Sequence, residues 1–283
     1  ISLIRNYIDW SPFFNSWELK GVYPRIFENE KYGQEAKKLY NDANALLDQL
    51  EKDRILSINT ICGLFPCIRR NESVILFAEE ARKTEIGRLH FLRQQTKKSE
   101  NQKNLSLADY ISPKGDYIGL FAVTAGLHLE EYLQEYKKQN DDYKDILIKA
   151  VTDRLAEACA EWLHLEVRKN IWGYASDENL SNDELIREKY RGIRPAPGYA
   201  ACPDHSEKAS IWKILEVEEK IGMSLTVNYA MYPTASVSGY YFAHPDISYF
   251  GIGKIGEDQV NSLAELKGLS ESEVRKFLRP NLD

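Results

Sequence analysis

Apolar positions in residues 33–53 return at helical spacing, through Ala36, Leu39, Tyr40, Ala43, Leu46, Leu47 and Leu50. That spacing predicts a helix with one buried face. A longer stretch, about 140–172, repeats the pattern with Tyr143, Ile146, Leu147, Ala150, Leu155, Ala158, Trp162 and Leu163. Off this stripe Asp153, Glu157 and Glu161 recur every four residues, which sets one carboxylate on each turn. Residues 57–95 read as strands. Ile58, Ile61, Leu64 and Phe65 precede Pro66, Val74 to Phe77 is a compact apolar run, and Asn71-Glu72 turns the chain between them. Tyr117 to Val123 reads as a buried strand ending near Gly126.

Shorter signals fill the remainder. Ser11-Pro12 offers an N-cap and a first helical position for a helix over 12–20. Thr96 to Ser106 is polar and reads as a surface loop, whereas Ser181-Asn182-Asp183-Glu184 is a capping box. Ser206 is expected to cap a helix over about 207–220 that closes near Gly222. Residues 224–255 predict two or three antiparallel strands, followed by short helices over 257–267 and 271–279 parted by Gly268. Strands and helices come in clusters rather than strict alternation, which points to an α+β fold.

Composition narrows the function classes. Apolar residues make up 43% of the 283, enough for a sizeable core. The net charge of −6 argues against a nucleic-acid surface. Cys62, Cys67, Cys159 and Cys202 form no C-x-x-C pair, and so few cysteines suit a reducing, cytoplasmic setting. No apolar run is long enough to cross a membrane, and no signal-peptide layout opens the chain. The missing initiator Met suggests a piece of a longer protein. The five histidines lack zinc-like spacing, so no metal is expected. Gly251 to Gly256 matches G-x-G-x-x-G, but it follows antiparallel strands and leaves no room for a βαβ unit; a dinucleotide site is discounted.

The most informative segment is Arg194-Pro195-Ala196-Pro197-Gly198-Tyr199, running on to Cys202-Pro203-Asp204-His205-Ser206-Glu207-Lys208. Two prolines fix φ and remove two backbone donors, while Gly198 admits a close backbone approach. The product is a stiff rim displaying carbonyls, one cation and one ring. It fits a ligand, although on loop reasoning alone a rigid connector between two helices is the commoner role. Arg194 can fork onto a carboxylate or serve as a surface or capping Arg. Tyr199 can stack on a ligand or anchor a core. Asp9 and Glu157 can each meet an ammonium, although solvated or capping roles are the default for such carboxylates.

Motifs along nearly the whole chain resemble one family, the S-adenosylmethionine-binding activation domain of cobalamin-dependent methionine synthase. They are Tyr7 to Phe14, Leu92-Arg93-Gln94-Gln95, Asp116-Tyr117-Ile118-Gly119, Arg154 to Ala158, Trp172-Gly173-Tyr174, Glu178-Asn179-Leu180, Arg194 to Lys208, Ser236 to Gly239, His244-Pro245 and Pro280-Asn281-Leu282. The resemblance implies a C-shaped, helmet-like α+β domain over 1–283, with a twisted antiparallel sheet flanked by helices. It further implies a C-terminal module whose upstream neighbours bind homocysteine, folate and cobalamin. Its ligand contacts fall on Asp9, Glu157, Arg194, Ala196, Gly198, Tyr199, Tyr249 and Phe250, with Tyr199 facing cobalamin. Asp9 is expected to take the ammonium of S-adenosylmethionine and Arg194 its carboxylate. No side chain is expected to act as acid or base. The implied cofactors are S-adenosylmethionine and a cobalamin held by a neighbouring domain or subunit. The implied partners are that cobalamin-binding domain and flavodoxin or an equivalent flavoprotein reductase, the latter docking on a local Lys/Arg patch. Two alternatives stand beside this reading: a scaffold of the same fold that binds no methyl donor, and a self-sufficient methyltransferase with a small acceptor.

Overall fold

The computed structural model describes residues 1–282. Within them, β1 (Ser57–Arg70), β2 (Ser73–Phe77), β3 (Glu85–His90), β4 (Asp116–Leu127) and, much later, β7 (Ser236–Tyr241) make one antiparallel sheet. The strand order is β3-β2-β1-β4-β7. β5 (Ser224–Leu225) and β6 (Met231–Tyr232) pair separately as a small hairpin. The α+β expectation holds.

β4 lies between β1 and β7 and is covered on both faces, which explains its nearly unbroken apolar sequence. Phe121, Val123 and Ala125 face one core; Ile118, Leu120 and Ala122 face the other. β1 continues through Pro66 rather than ending before it. Pairing with β2 begins only at Cys67, so the proline's missing N–H removes no bond from that ladder. The turn between β1 and β2 falls at Asn71, in the left-handed region.

One face of the sheet is covered by α1 (Trp10–Ser16), α2 (Gly33–Lys52), α3 (Leu129–Lys138) and α4 (Asp142–Glu166). α4 runs on through a π-helical turn, Val167–Ile171, matching the expected 140–172 helix. Its Leu147, Leu155, Ala158 and Leu163 are buried, each leucine contributing about 1.5–3 kcal/mol. Tyr143 and Ile146 are exposed instead, while their neighbours Leu147 and Ile148 are buried; the Tyr143 hydroxyl donates to Asp42 of α2. After the short α5 (Asn182–Ile186), held by the expected Ser181 and Glu184 box, the chain crosses over. α6 (Lys208–Leu215) and α7 (Val217–Ile221) cover the opposite face with Ile211, Trp212, Leu215, Val217 and Ile221. α8 (Glu257–Lys267) and α9 (Glu271–Leu278) build a third cluster against Leu92 and Ile252.

Several boundaries differ from the sequence reading. The first helix starts at Trp10, not at residue 12, because Asp9 caps it by accepting from the Ser11 N–H. α3 is unforeseen, although Leu129, Leu133 and Tyr136 lie on one face; the left-handed Asn140 separates it from α4. The 207–220 helix is broken at Glu216, also left-handed, and Asp204 rather than Ser206 caps its first turn. Within 224–255 only β5, β6 and β7 are strands, and residues 242–256 are irregular apart from an isolated bridge at Phe242.

Candidate functional site

The Arg194–Tyr199 rim runs beside β7. Ile193 and Phe242 exchange backbone hydrogen bonds at 3.0 Å, and the Tyr240 N–H donates to the Pro195 carbonyl at 3.0 Å. Gly239 permits this approach, since a Cβ there would lie 2.5 Å from the Pro195 oxygen. Beyond Pro197 the chain knots: Gly198 N–H donates to Cys202 O at 2.7 Å and Cys202 N–H to Tyr199 O at 3.0 Å. Gly198 has φ +99° and its missing Cβ would collide with the His205 ring at 2.2 Å, so glycine is required on both counts. The rim is stiff through these bonds as well as its prolines.

Between this rim and α4 lies a cavity of about 420 Å³, within the usual range for small-molecule sites. It is lined by Glu157 and Glu188, by Arg194, Ala196 and Tyr199 of the rim, and by Tyr249 and Phe250. A second chamber of about 260 Å³ shares Glu157, Ala196, Tyr199 and Val237 with the first and continues to His205, Lys208 and Ser238. Tyr199 stands between the two, 68% exposed as a residue, an unusual position for a tyrosine that merely anchors a core.

Charge is concentrated behind the cavity. Arg194 Nη1 meets Glu161 Oε2 at 2.7 Å and donates to the Tyr190 hydroxyl at 2.9 Å. The Arg194 backbone N–H donates to the Tyr249 hydroxyl at 3.1 Å. Burial works to discharge Arg194, but Glu161 overrides it and keeps the guanidinium protonated above its ordinary value. Burial raises the carboxyl of Glu157 above its ordinary value, against the pull of Arg154 and Arg194. Glu188 is raised for the same reason. One and two turns beyond Glu161, His164 of α4 and Arg168 of the π-helical turn are fully buried. Arg168 is held by Glu178 through hydrogen bonds of 2.8 and 2.9 Å and lies over the Tyr190 ring at 4.1 Å. His164 is held well below its ordinary value by burial and by both arginines, so its ring is neutral.

Six of the eight expected contact residues thus converge: Glu157, Arg194, Ala196, Tyr199, Tyr249 and Phe250 line the first cavity. Asp9 and Gly198 do not line it. Asp9 spends Oδ1 on the α1 cap, and Gly198 shapes the rim from behind. Glu188 and Tyr190 were missed, since neither sits in a periodic pattern, although both lie within six residues of Arg194. Glu161 carried a signal, the four-residue period it shares with Glu157. The G-x-G-x-x-G stretch is irregular backbone whose Ile252 N–H donates to the Ala200 carbonyl, supporting the rim. Among the described residues no cluster of His, Cys, Asp and Glu could hold a metal ion, the four cysteines are free, and no helix is long and apolar enough to cross a membrane.

A largely apolar cavity backed by buried charge thus lies beside the sheet of an α+β domain in three layers, helices on either side of one sheet. Residues 1–268 match the model of the vitamin B12-dependent methionine synthase activation domain, and the chain belongs to that family. A crystal structure of the MetH reactivation domain bound to AdoHcy is 52% identical, with a TM-score of 0.96 over 99% of this chain and 87% of that one. The family suggested by the Arg194–Lys208 motif is therefore the right one.

Proposed function

We propose that the cavity between α4 and the rim binds S-adenosylmethionine and presents its methyl group for reductive methylation of cob(II)alamin, reactivating a cobalamin-dependent methionine synthase. The observation that carries this reading is the convergence of Glu157, Arg194, Ala196, Tyr199, Tyr249 and Phe250 on one cavity. It is strengthened by a relative, 52% identical, that carries AdoHcy, the demethylated form of the donor.

The residues suit that ligand. Arg194 forks onto the carboxylate. Glu157 and Glu188 supply negative charge for the sulfonium and ammonium. Tyr249 and Phe250 offer ring surface to the adenosine, and backbone at Ala196 grips the remainder. Asp9 is carried as the ammonium partner by the family resemblance alone. Tyr199, exposed at the mouth, is the ring that meets the corrin. The cobalamin comes from a neighbouring domain or subunit and supplies the nucleophile once reduced by flavodoxin or an equivalent flavoprotein. Residues 1–283 then act as one module of a cytoplasmic enzyme, and their task is positioning rather than acid-base chemistry.

Calorimetric titration of the chain with S-adenosylmethionine tests the reading. Saturable one-to-one binding is expected, with Arg194→Ala weaker by about tenfold to a hundredfold. No heat from the unaltered chain at high ligand concentration would favour a scaffold that binds no donor.

A further inference from the structure

Arg194 has three carboxylates within reach of its surroundings, and two of them, Glu157 and Glu188, line the same cavity as its guanidinium. Left to itself, a guanidinium beside two carboxylates in a partly desolvated pocket would fork onto one of them. The third carboxylate prevents this. Glu161 lies one helical turn from Glu157, with its side chain only 8% exposed, and takes Nη1 at 2.7 Å from behind. The Tyr190 hydroxyl takes the same nitrogen at 2.9 Å. Tyr190 cannot yield, because its ring is packed between the Arg168 guanidinium and the edge-on His164 ring, 4.1 and 4.8 Å away. Arg168 is in turn fixed by Glu178. One nitrogen of Arg194 is therefore pinned into the protein.

We infer that Glu161 is a positioning residue for ligand recognition: with Tyr190 it pins Arg194 away from Glu157 and Glu188 and keeps a carboxylate-binding edge open. This inference rests on the reading that the cavity takes an amino-acid-bearing adenosyl ligand. It makes Glu161 responsible for selecting the carboxylate of that ligand, not its adenosine or its sulfonium. Position matters here more than charge. Glutamine at 161 keeps an oxygen for Nη1, whereas alanine frees the guanidinium to swing onto a cavity carboxylate.

The test compares S-adenosylmethionine with its decarboxylated form, which lacks only the carboxylate. Unaltered chain, Glu161→Ala, Glu161→Gln and Tyr190→Phe are titrated with both, and far-UV circular dichroism checks folding. Glu161→Ala is expected to weaken S-adenosylmethionine by about tenfold or more while the decarboxylated ligand changes little. Glu161→Gln restores most of the lost affinity, and Tyr190→Phe shows a smaller loss with the same selectivity. If Glu161→Ala fails to fold, Tyr190→Phe carries the same comparison. Equal losses for both ligands, or unchanged S-adenosylmethionine affinity in the folded Glu161→Ala and Tyr190→Phe chains, overturn the assignment. Failure of the unaltered chain to bind either ligand instead removes the reading beneath it.

Discussion

Helices cover both faces of one sheet, yet the two covers put their buried charge to different uses. α6 and α7 meet their face with Ile211, Trp212, Leu215, Val217 and Ile221; the Trp212 indole is satisfied locally by the Met223 carbonyl at 3.0 Å. α4 meets the other face with Leu155 and Leu163, but Glu157 lines the cavity, Glu161 pairs with Arg194, and His164 and, in the π-helical turn beyond, Arg168 pack on Tyr190. An apolar cover is the cheaper way to close a sheet, since buried charges carry desolvation costs that pairing only partly offsets. The departure on α4 coincides with the one wall of the molecule that backs the Arg194 cavity. The other cover buries charge as well, at the entry to α6, but there Asp204 and Glu207 are paired with Lys267 of α8 rather than with a residue of the Arg194 cavity.

The comparison can be broken most forcefully at its two anchors. Arg168→Met removes the buried partner of Glu178 and the support of Tyr190, and is expected to destabilise the fold by about 3–5 kcal/mol while weakening S-adenosylmethionine. Trp212→Ala, on the other face, should cost about 3–5 kcal/mol with ligand affinity unchanged at temperatures where the chain stays folded. Denaturant unfolding with parallel titration separates the two; a ligand effect from Trp212→Ala or none from Arg168→Met would erase the contrast.

A subtler probe uses pH. Burial holds the folded-state Glu157 carboxyl above its ordinary value, so it takes up a proton earlier than an exposed glutamate as pH falls. Protonation removes negative charge from the cavity. Affinity for the cationic S-adenosylmethionine should therefore fall on acidification more steeply than affinity for the uncharged thioether S-adenosylhomocysteine. Glu157→Gln should flatten that difference, and titrations across the mildly acid range would show it.

Much of this organisation was legible in the residues. The 3.6-residue repeat of α2 and α4 and the apolar run of β4 needed no tertiary information, because burial of one face or of both leaves its mark on sequence. The Arg194–Tyr199 rim was legible for a different reason: two prolines and a glycine in six residues restrict backbone geometry directly. Asp9 shows the limit. A carboxylate beside Trp10 looks alike whether it caps a helix or meets a ligand, and the structure places one of its oxygens on the cap. Glu188 and Tyr190 were illegible because their positions depend on the path of the chain after α5, with Glu188 itself in the left-handed region. The break at Glu216 escaped for the same reason, since tertiary packing there overrides a continuous helical pattern.

The most direct measurement is a crystal structure of the chain grown with S-adenosylmethionine. The account predicts the ligand lying in the cavity between Glu157 and Tyr249, its carboxylate on the guanidinium of Arg194 and its methyl turned toward the exposed ring of Tyr199. A saturated crystal with that cavity empty, or with the carboxylate bound away from Arg194, would contradict it.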